Sequence, residues 1–241
     1  MIHVGISEGF HDAAVTILNG QNIMSARHSE RYTKIKNDPI LDLNLIPFKY
    51  DTLNFYEKPF LKNTRRLFAG QKWQSPRRKY DNYFGHHETH AAAGYYTSPF
   101  NECNVIVVDA IGEWNTVTIW ECKDNEMKKI KSWNYPYSLG LLLYSAITQR
   151  IGLKPNEDEY VTMGMAAFGE PKYDLEYLLH ENNHKGVGRL LPTAHPRDLA
   201  ASVQNLYEVK LLELLRYCKY SNLVLMGGCA LNCVANSRIP D

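Results

Sequence analysis

Chemistry gathers first at the stretch Tyr83-Phe-Gly-His-His-Glu-Thr-His-Ala-Ala-Ala-Gly94, where His86 and His90 stand four residues apart beside an alanine run. On a helix, residues at that spacing share one face. Two neutral imidazoles so placed can grip one transition-metal ion. The apolar strand that follows, Val105-Ile-Val-Val108, delivers a carboxylate, Asp109, at its end. Two nitrogens and one oxygen make an open metal site. A helix start capped by histidines and holding no metal has the same spacing, so spacing leaves both readings open.

Two further stretches put polar groups beside glycine. Ser7-Glu-Gly-Phe-His-Asp12 is a loop whose glycine lets backbone amides approach an anion, and His11-Asp12 is its site candidate; a plain hairpin loop is the alternative. Near the end, Leu223-Val-Leu-Met226 reads as a buried strand running into Gly227-Gly-Cys-Ala-Leu-Asn232, a glycine pair that opens a helix where a nucleotide can approach the backbone. Asn156-Glu-Asp-Glu-Tyr160 is an acidic cluster ahead of Met163-Gly-Met-Ala-Ala-Phe-Gly169. It suits a ribose, a metal-bound water or the acid-rich start of a helix.

The elements that position these groups follow from periodicity. Ile2, Val4 and Ile6 alternate; Ala14 to Leu18 and Ile23 to Ala26 read as further strands about a turn at Asn19-Gly20, giving a three-stranded antiparallel start. From about Lys34 to Asp81 no clean period holds, and we read an inserted lobe. It contains Lys62, Arg65, Arg66, Lys72, Arg77, Arg78 and Lys79 with interleaved aromatics, a patch that could hold phosphate or stack a base, although a solvated basic face is the favoured reading. The strand, polar turn, strand, hairpin, strand unit recurs from Val105 to Trp133, which predicts two related lobes closing on a nucleotide. Ser138 is placed to cap a helix striped by Leu139, Leu142, Leu143, Ala146 and Ile147, and a longer helix follows Pro196 with Leu199, Val203, Leu206, Tyr207, Leu211, Leu214 and Leu215 inward.

At 241 residues and a net charge of +1, the chain has no global field that argues for nucleic acid or a membrane. No apolar run approaches the length of a membrane span, the N-terminus has no signal pattern, and the five cysteines show no CxxC, so we expect a cytoplasmic protein with reduced thiols.

Several segments together resemble one family. Gly5-Ile-Ser, His11-Asp-Ala-Ala14, Ser29-Glu-Arg-Tyr32, Phe55-Tyr-Glu-Lys-Pro59, His86-His-Glu-Thr-His-Ala-Ala92, Asp109-Ala-Ile-Gly-Glu-Trp114, Met163 to Gly169 and Gly227 to Asn236 occur in the order found in the O-carbamoyltransferase family. That family includes nodulation and antibiotic carbamoyltransferases, and the chain resembles more remotely the ATPase-like protein of tRNA threonylcarbamoyladenosine synthesis. The resemblance implies an α/β, actin/Hsp70-like (ASKHA) fold of duplicated lobes: residues 1–108 with an insertion at about 34–81, and residues 109–241 as an incomplete second lobe. A glycine-rich turn carrying a further metal-ligating aspartate and a YrdC-like domain are expected beyond Asp241. It also implies transfer of a carbamoyl group from carbamoyladenylate, made from ATP and carbamoyl phosphate, to an acceptor hydroxyl. Carried over by position, His86, His90 and Asp109 match metal ligands, for iron first, with zinc or manganese as alternatives and Mg2+ accompanying ATP. Gly227, Gly228 and Asn232 match the adenosine-binding turn; Glu159, Gly164 and Met165 fall on the segment that wraps the nucleotide; and His11 and Asp12 match the loop facing the reactive carbonyl. Asp158-Glu-Tyr-Val161 departs from the Gly-Glu-Tyr-Lys of many relatives, losing a glycine and a lysine. Other readings are a non-catalytic nucleotide-binding module or subunit of a split enzyme, and a metal-dependent hydrolase using Glu113 or Glu159. The expected partner is a complementing polypeptide or a second copy; nucleic acid is not favoured.

Overall fold

Alternation at Ile2, Val4 and Ile6 becomes strand β1 (Ile2–Ser7), which pairs antiparallel with β2 (Ala14–Asn19), itself paired antiparallel with β3 (Asn22–His28) across a two-residue turn. The computed structural model describes residues 1–181 and 186–240. Asp241 and the Leu142 side chain, both named from sequence, lie outside what is described. The chain divides into two units, Met1–Thr89 and His90–Asp241.

In the first unit a short helix, α1 (Glu30–Thr33), precedes β4 (Thr52–Phe55), α2 (Pro59–Phe68) and β5 (Asn82–Tyr83). The sheet order is β3-β2-β1-β4-β5, with β4 parallel to β1 and β5 parallel to β4. The stretch from Lys34 to Asp81 is therefore not wholly an insertion. Its β4 is only four residues long and its period is visible only at buried Leu53 and Phe55, which join Val4, Ile6 and Val15 in one core.

Helix α3 (His86–Thr97) leads into the second unit, and the division between units falls within its first turns. At its start the Glu88 carboxylate accepts from the Gly85 amide at 3.1 Å. Strands β6 (Glu102–Gly112), β7 (Asn115–Lys123) and β8 (Glu126–Asn134) form an antiparallel meander, and β9 (Leu223–Met226) lies parallel to β6, giving the order β8-β7-β6-β9. The recurrence read from sequence is thus a recurrence of topology. In each unit three antiparallel strands are followed by a strand parallel to the first.

Strand β6 is covered on both faces, which is why it reads as a continuous apolar run. Ile106 and Val108 enter one core with Val117, Ile119, Leu139, Leu143, Ile147 and the helix α6 residues named below, whereas Cys103, Val105 and Val107 enter another with Ala91 and Tyr95 of α3. The remaining helices are α4 (Ala146–Arg150), α5 (Glu159–Ala166), α6 (Pro196–Leu214) and α7 (Cys233–Asn236). Leu199, Val203, Tyr207, Leu211 and Leu214 of α6 are buried as the periodicity required. Ser138 does not cap a helix: its hydroxyl donates to the Ala110 carbonyl at 3.2 Å, and a wide-turned π-helix over Gly140–Ser145 precedes α4. Strand β9 is half-buried along its whole length, not fully buried. The glycine pair opens a 3-10 turn, Gly228–Leu231, ahead of the short α7.

Candidate metal and nucleotide site

Helix α3 carries His86 and His90 one turn apart, and β6 ends at the carboxylate that faces them. His90 Nε2 lies 3.4 Å from Asp109 Oδ2, and one ligand atom from each of His86, His90 and Asp109 falls within 4.8 Å of the others. A tetrahedral ion about 2.1 Å from each donor sets the donors about 3.4 Å apart, so the set closes on a metal if each donor moves by less than about 1 Å. All three side chains are partly exposed, which leaves room for an incoming ligand.

The orientation of Asp109 comes from its backbone surroundings. Its Oδ1 accepts from the Ala110 amide at 2.8 Å and the Gly228 amide at 3.3 Å, leaving Oδ2 turned to His90. Ligands held this way by outer hydrogen bonds keep their geometry before a metal arrives. The Gly228 amide can reach because Gly227 adopts φ +93°, and a Cβ there would sit 2.4 Å from the Val108 carbonyl oxygen. Strand β6 and the glycine turn after β9 are therefore in contact at Asp109.

The turn is buttressed from α6. Tyr207 donates its hydroxyl to the Cys229 carbonyl at 2.6 Å. Gln204, 4% exposed, exchanges two hydrogen bonds with the Asn232 amide at 2.9 and 3.1 Å, accepts from the Tyr144 hydroxyl at 2.7 Å and donates to Glu208 at 2.9 Å. Asn232 Oδ1 also accepts the Ala235 amide at 3.0 Å. The Asn232 side chain therefore shapes the turn through contacts within the chain. Beneath the turn, burial and then the nearby Asp109 and Glu159 carboxylates push the Cys229 thiol far above its usual range. Sequence inspection missed Gln204, Tyr207 and Cys229, and only the inward face of α6 hinted at the first two.

Glu159 starts α5, where its carboxylate accepts from the Ser145 hydroxyl at 2.5 Å and the Asn156 amide at 2.6 Å. Gly164, one turn along, faces open space, and Met165 is partly exposed.

In the first unit, His11 Nδ1 lies 2.7 Å from Asp12 Oδ2 at an exposed position. The loop that carries them is anchored by Glu8, which is 3% exposed and accepts from Arg78 at 2.7 and 2.8 Å and from the Tyr80 hydroxyl at 2.5 Å. Gln74 donates to the Gly9 carbonyl at 2.9 Å, and the Gly9 and Ala13 amides donate to Pro39 and Asp38 carbonyls. Much of the basic patch is consumed in such contacts. Arg78 pairs with Glu8, Lys62 with Glu57, buried Arg65 donates to Gln71, and Arg66 donates to the Lys72 carbonyl.

Among the described residues no helix is long and apolar enough to cross a membrane, and all five cysteines are free.

An uncharacterised protein of Synechocystis sp. is 30% identical over 323 residues, taking in 99% of this chain and 52% of its own length. One from Methanocaldococcus jannaschii is 25% identical over the same shares. The nodulation protein NolNO of Sinorhizobium fredii is 26% identical over 66% of this chain and 27% of its own length. The chain thus spans about half the length of the first two, at 52% of each. Among solved structures, component A of the (R)-2-hydroxyglutaryl-CoA dehydratase of Acidaminococcus fermentans superposes with a TM-score of 0.61 at 12% identity, covering 98% of this chain and 86% of that one. With the repeated sheet topology, that likeness makes this an α/β fold of the actin/Hsp70-like class with duplicated lobes. Residues 49–188, more than half of the 241, match the family described as carbamoyltransferase N-terminus, and the chain belongs to that family.

Proposed function

We propose that this chain supplies the metal- and nucleotide-binding part of a carbamoyltransferase, moving a carbamoyl group from carbamoyladenylate to an acceptor hydroxyl. The observation that carries the reading is the double attachment of Asp109: Oδ2 faces His90, while Oδ1 is held by the amide of Gly228 in the glycine turn. One carboxylate is thereby tied to a metal-binding set and to a turn open to backbone approach.

His86, His90 and Asp109 would hold the divalent metal, iron being our first assignment, and the bound ion would supply Lewis acidity toward an oxygen of the substrate. Gly227 and Gly228 would bring backbone to the adenosine, Asn232 holds that turn in shape, and Glu159, Gly164 and Met165 would wrap the nucleotide. Asp12 accepts the Nδ1 proton of His11, which fixes the tautomer and leaves Nε2 to receive a hydrogen bond from the acceptor hydroxyl. The hydroxyl oxygen forms the new bond to the carbamoyl carbon, the bond from that carbon to the phosphate oxygen breaks, AMP departs and the hydroxyl proton passes toward His11 Nε2. An activated mixed anhydride makes little demand on base strength, so orientation by His11 suffices. The hydrolase alternative is weakened because the Glu159 carboxylate is already engaged by Ser145 and Asn156.

Since the curated relatives are about twice as long, at 52% coverage, turnover is expected from the chain combined with the remaining part of such a relative, and binding without turnover from the chain alone. The test measures AMP released from ATP and carbamoyl phosphate by that combination, with and without hydroxyl acceptors. Acceptor-dependent AMP that is lost in His11→Ala supports the reading. Equal AMP release without acceptor, or no nucleotide bound in any combination, overturns it.

A further inference from the structure

Helix α2 is mounted with its polar side inward. A helix that packs on a core ordinarily turns its apolar stripe inward and its charges to water. In α2 the buried residues are Asn63 and Arg65, whereas Phe60, Leu67 and Phe68 are 68%, 56% and 69% exposed, and Leu61 is exposed beside them. Phe60, Thr64, Leu67 and Phe68 follow the spacing of a single helix face.

Hydrogen bonds hold the helix in this orientation. Asn63 exchanges two with the Gln74 backbone at 2.8 and 3.0 Å, Arg65 donates to Gln71 at 2.9 Å, and Lys62 pairs with Glu57. Rolling the apolar stripe inward would break all of them. A contiguous apolar face kept in water by such bonds marks a docking surface.

Charge identifies the occupant. From Lys58 to Tyr80 the chain carries eight lysines and arginines and no acid, which the balanced net charge of +1 conceals. Glu57 neutralises Lys62 and Glu8 neutralises Arg78, so the segment around the stripe stays strongly positive. A second copy of the chain would set like charge against like. A nucleic acid would use the charge but leave the leucines and phenylalanines in water. Side chains more than half exposed also form a crest, without the walls that seat a partner helix. A bilayer with anionic headgroups satisfies both the apolar crest and the positive charge.

We propose that α2 is a peripheral docking helix for an anionic lipid surface. Phe60, Leu61, Leu67 and Phe68 enter the boundary between headgroups and acyl chains, and the basic residues of the segment meet the headgroup phosphates. Trp73, exposed in the loop that Asn63 ties to the helix, is of a residue type favoured at that depth. With ten residues, α2 lies on the membrane and does not span it. The inference rests on burial and charge, and stands apart from the metal and carbamoyl chemistry.

The experiment floats the full chain on density gradients with vesicles of phosphatidylcholine alone or mixed with phosphatidylglycerol. The chain is expected to bind the mixed vesicles at least about tenfold more tightly than the neutral ones, with the difference fading in high salt. Phe60→Ser combined with Phe68→Ser, at exposed positions and with the fold checked by circular dichroism, should weaken binding to the mixed vesicles by at least about tenfold. Full binding by the double variant, equal binding to both vesicles, binding to neither, or a lipid-free dimer that the double variant dissociates would each overturn the proposal.

Discussion

Removing the Glu8 carboxylate tests how the loop bearing His11 and Asp12 is held. Glu8 is 3% exposed and meets Arg78 through two hydrogen bonds of 2.7 and 2.8 Å. Burial, and then the adjoining Glu8, push the Tyr80 phenol far above its usual range, so Tyr80 stays neutral and keeps its proton to donate to Glu8. Breaking a buried pair from one side costs about 3–5 kcal/mol, and since the Arg78 side chain retains 23% exposure the lower figure applies, about 3 kcal/mol. For a unit the size of Met1–Thr89, each kcal/mol lowers Tm by about 4–8 °C, so Glu8→Ala should lower the transition of the first unit by about 12–24 °C. The double variant Glu8→Met with Arg78→Met removes both charges and should recover most of that loss. Calorimetry on the four members of the cycle gives the coupling. A Glu8→Ala shift below about 4 °C, or a double variant worse than either single one, would refute the reasoning.

Three further outcomes follow from the second unit. Gly227→Ala places a Cβ 2.4 Å from the Val108 carbonyl at φ +93°, and should lower stability by at least about 2 kcal/mol; Gly228→Ala, whose nearest contact is Asp109 Oδ1 at 3.4 Å, should be tolerated in the same melts. Gln204→Leu strands the Tyr144 hydroxyl and the Asn232 amide, a loss of about 2 kcal/mol by denaturant titration, with weaker nucleotide binding as the turn loosens. Burial, then the neighbouring Cys103, pushes the Cys122 thiol up to about 12. Between about pH 9 and that value the unfolded chain releases a proton that the folded chain keeps, so stability is full below about pH 9 and falls as pH rises. Cys122→Ala should flatten that alkaline slope, whatever it does to stability at neutral pH.

How far the sequence disclosed this molecule depends on how local each signal was. The duplicated topology was readable because β1, β2, β6 and β7 announce themselves by alternation or apolar runs, and their turns are short. The His86, His90 and Asp109 set was readable because helix spacing and a strand end predict proximity without tertiary knowledge. β4 was hidden, since four residues show barely one alternation. The pairing of the basic patch was not legible, because the partners that consume part of it, Glu8 and Glu57, lie before it in the chain, and nothing local marks Arg78 as the one that folds back to a loop 70 residues away. Gln204 and Asn232, 28 residues apart, were invisible as a pair for the same reason.

The central claim is that α3 and β6 together hold a metal, and the direct measurement is anaerobic calorimetric titration of the full chain with ferrous iron, repeated for His90→Ala and Asp109→Asn. The account predicts one ion per wild-type chain. Because loss of an outer hydrogen bond alone weakens metal sites by about 10–100-fold, loss of either ligand should weaken binding by more than about 100-fold. Wild-type affinity in the His90→Ala variant, with its fold intact by circular dichroism, would contradict it.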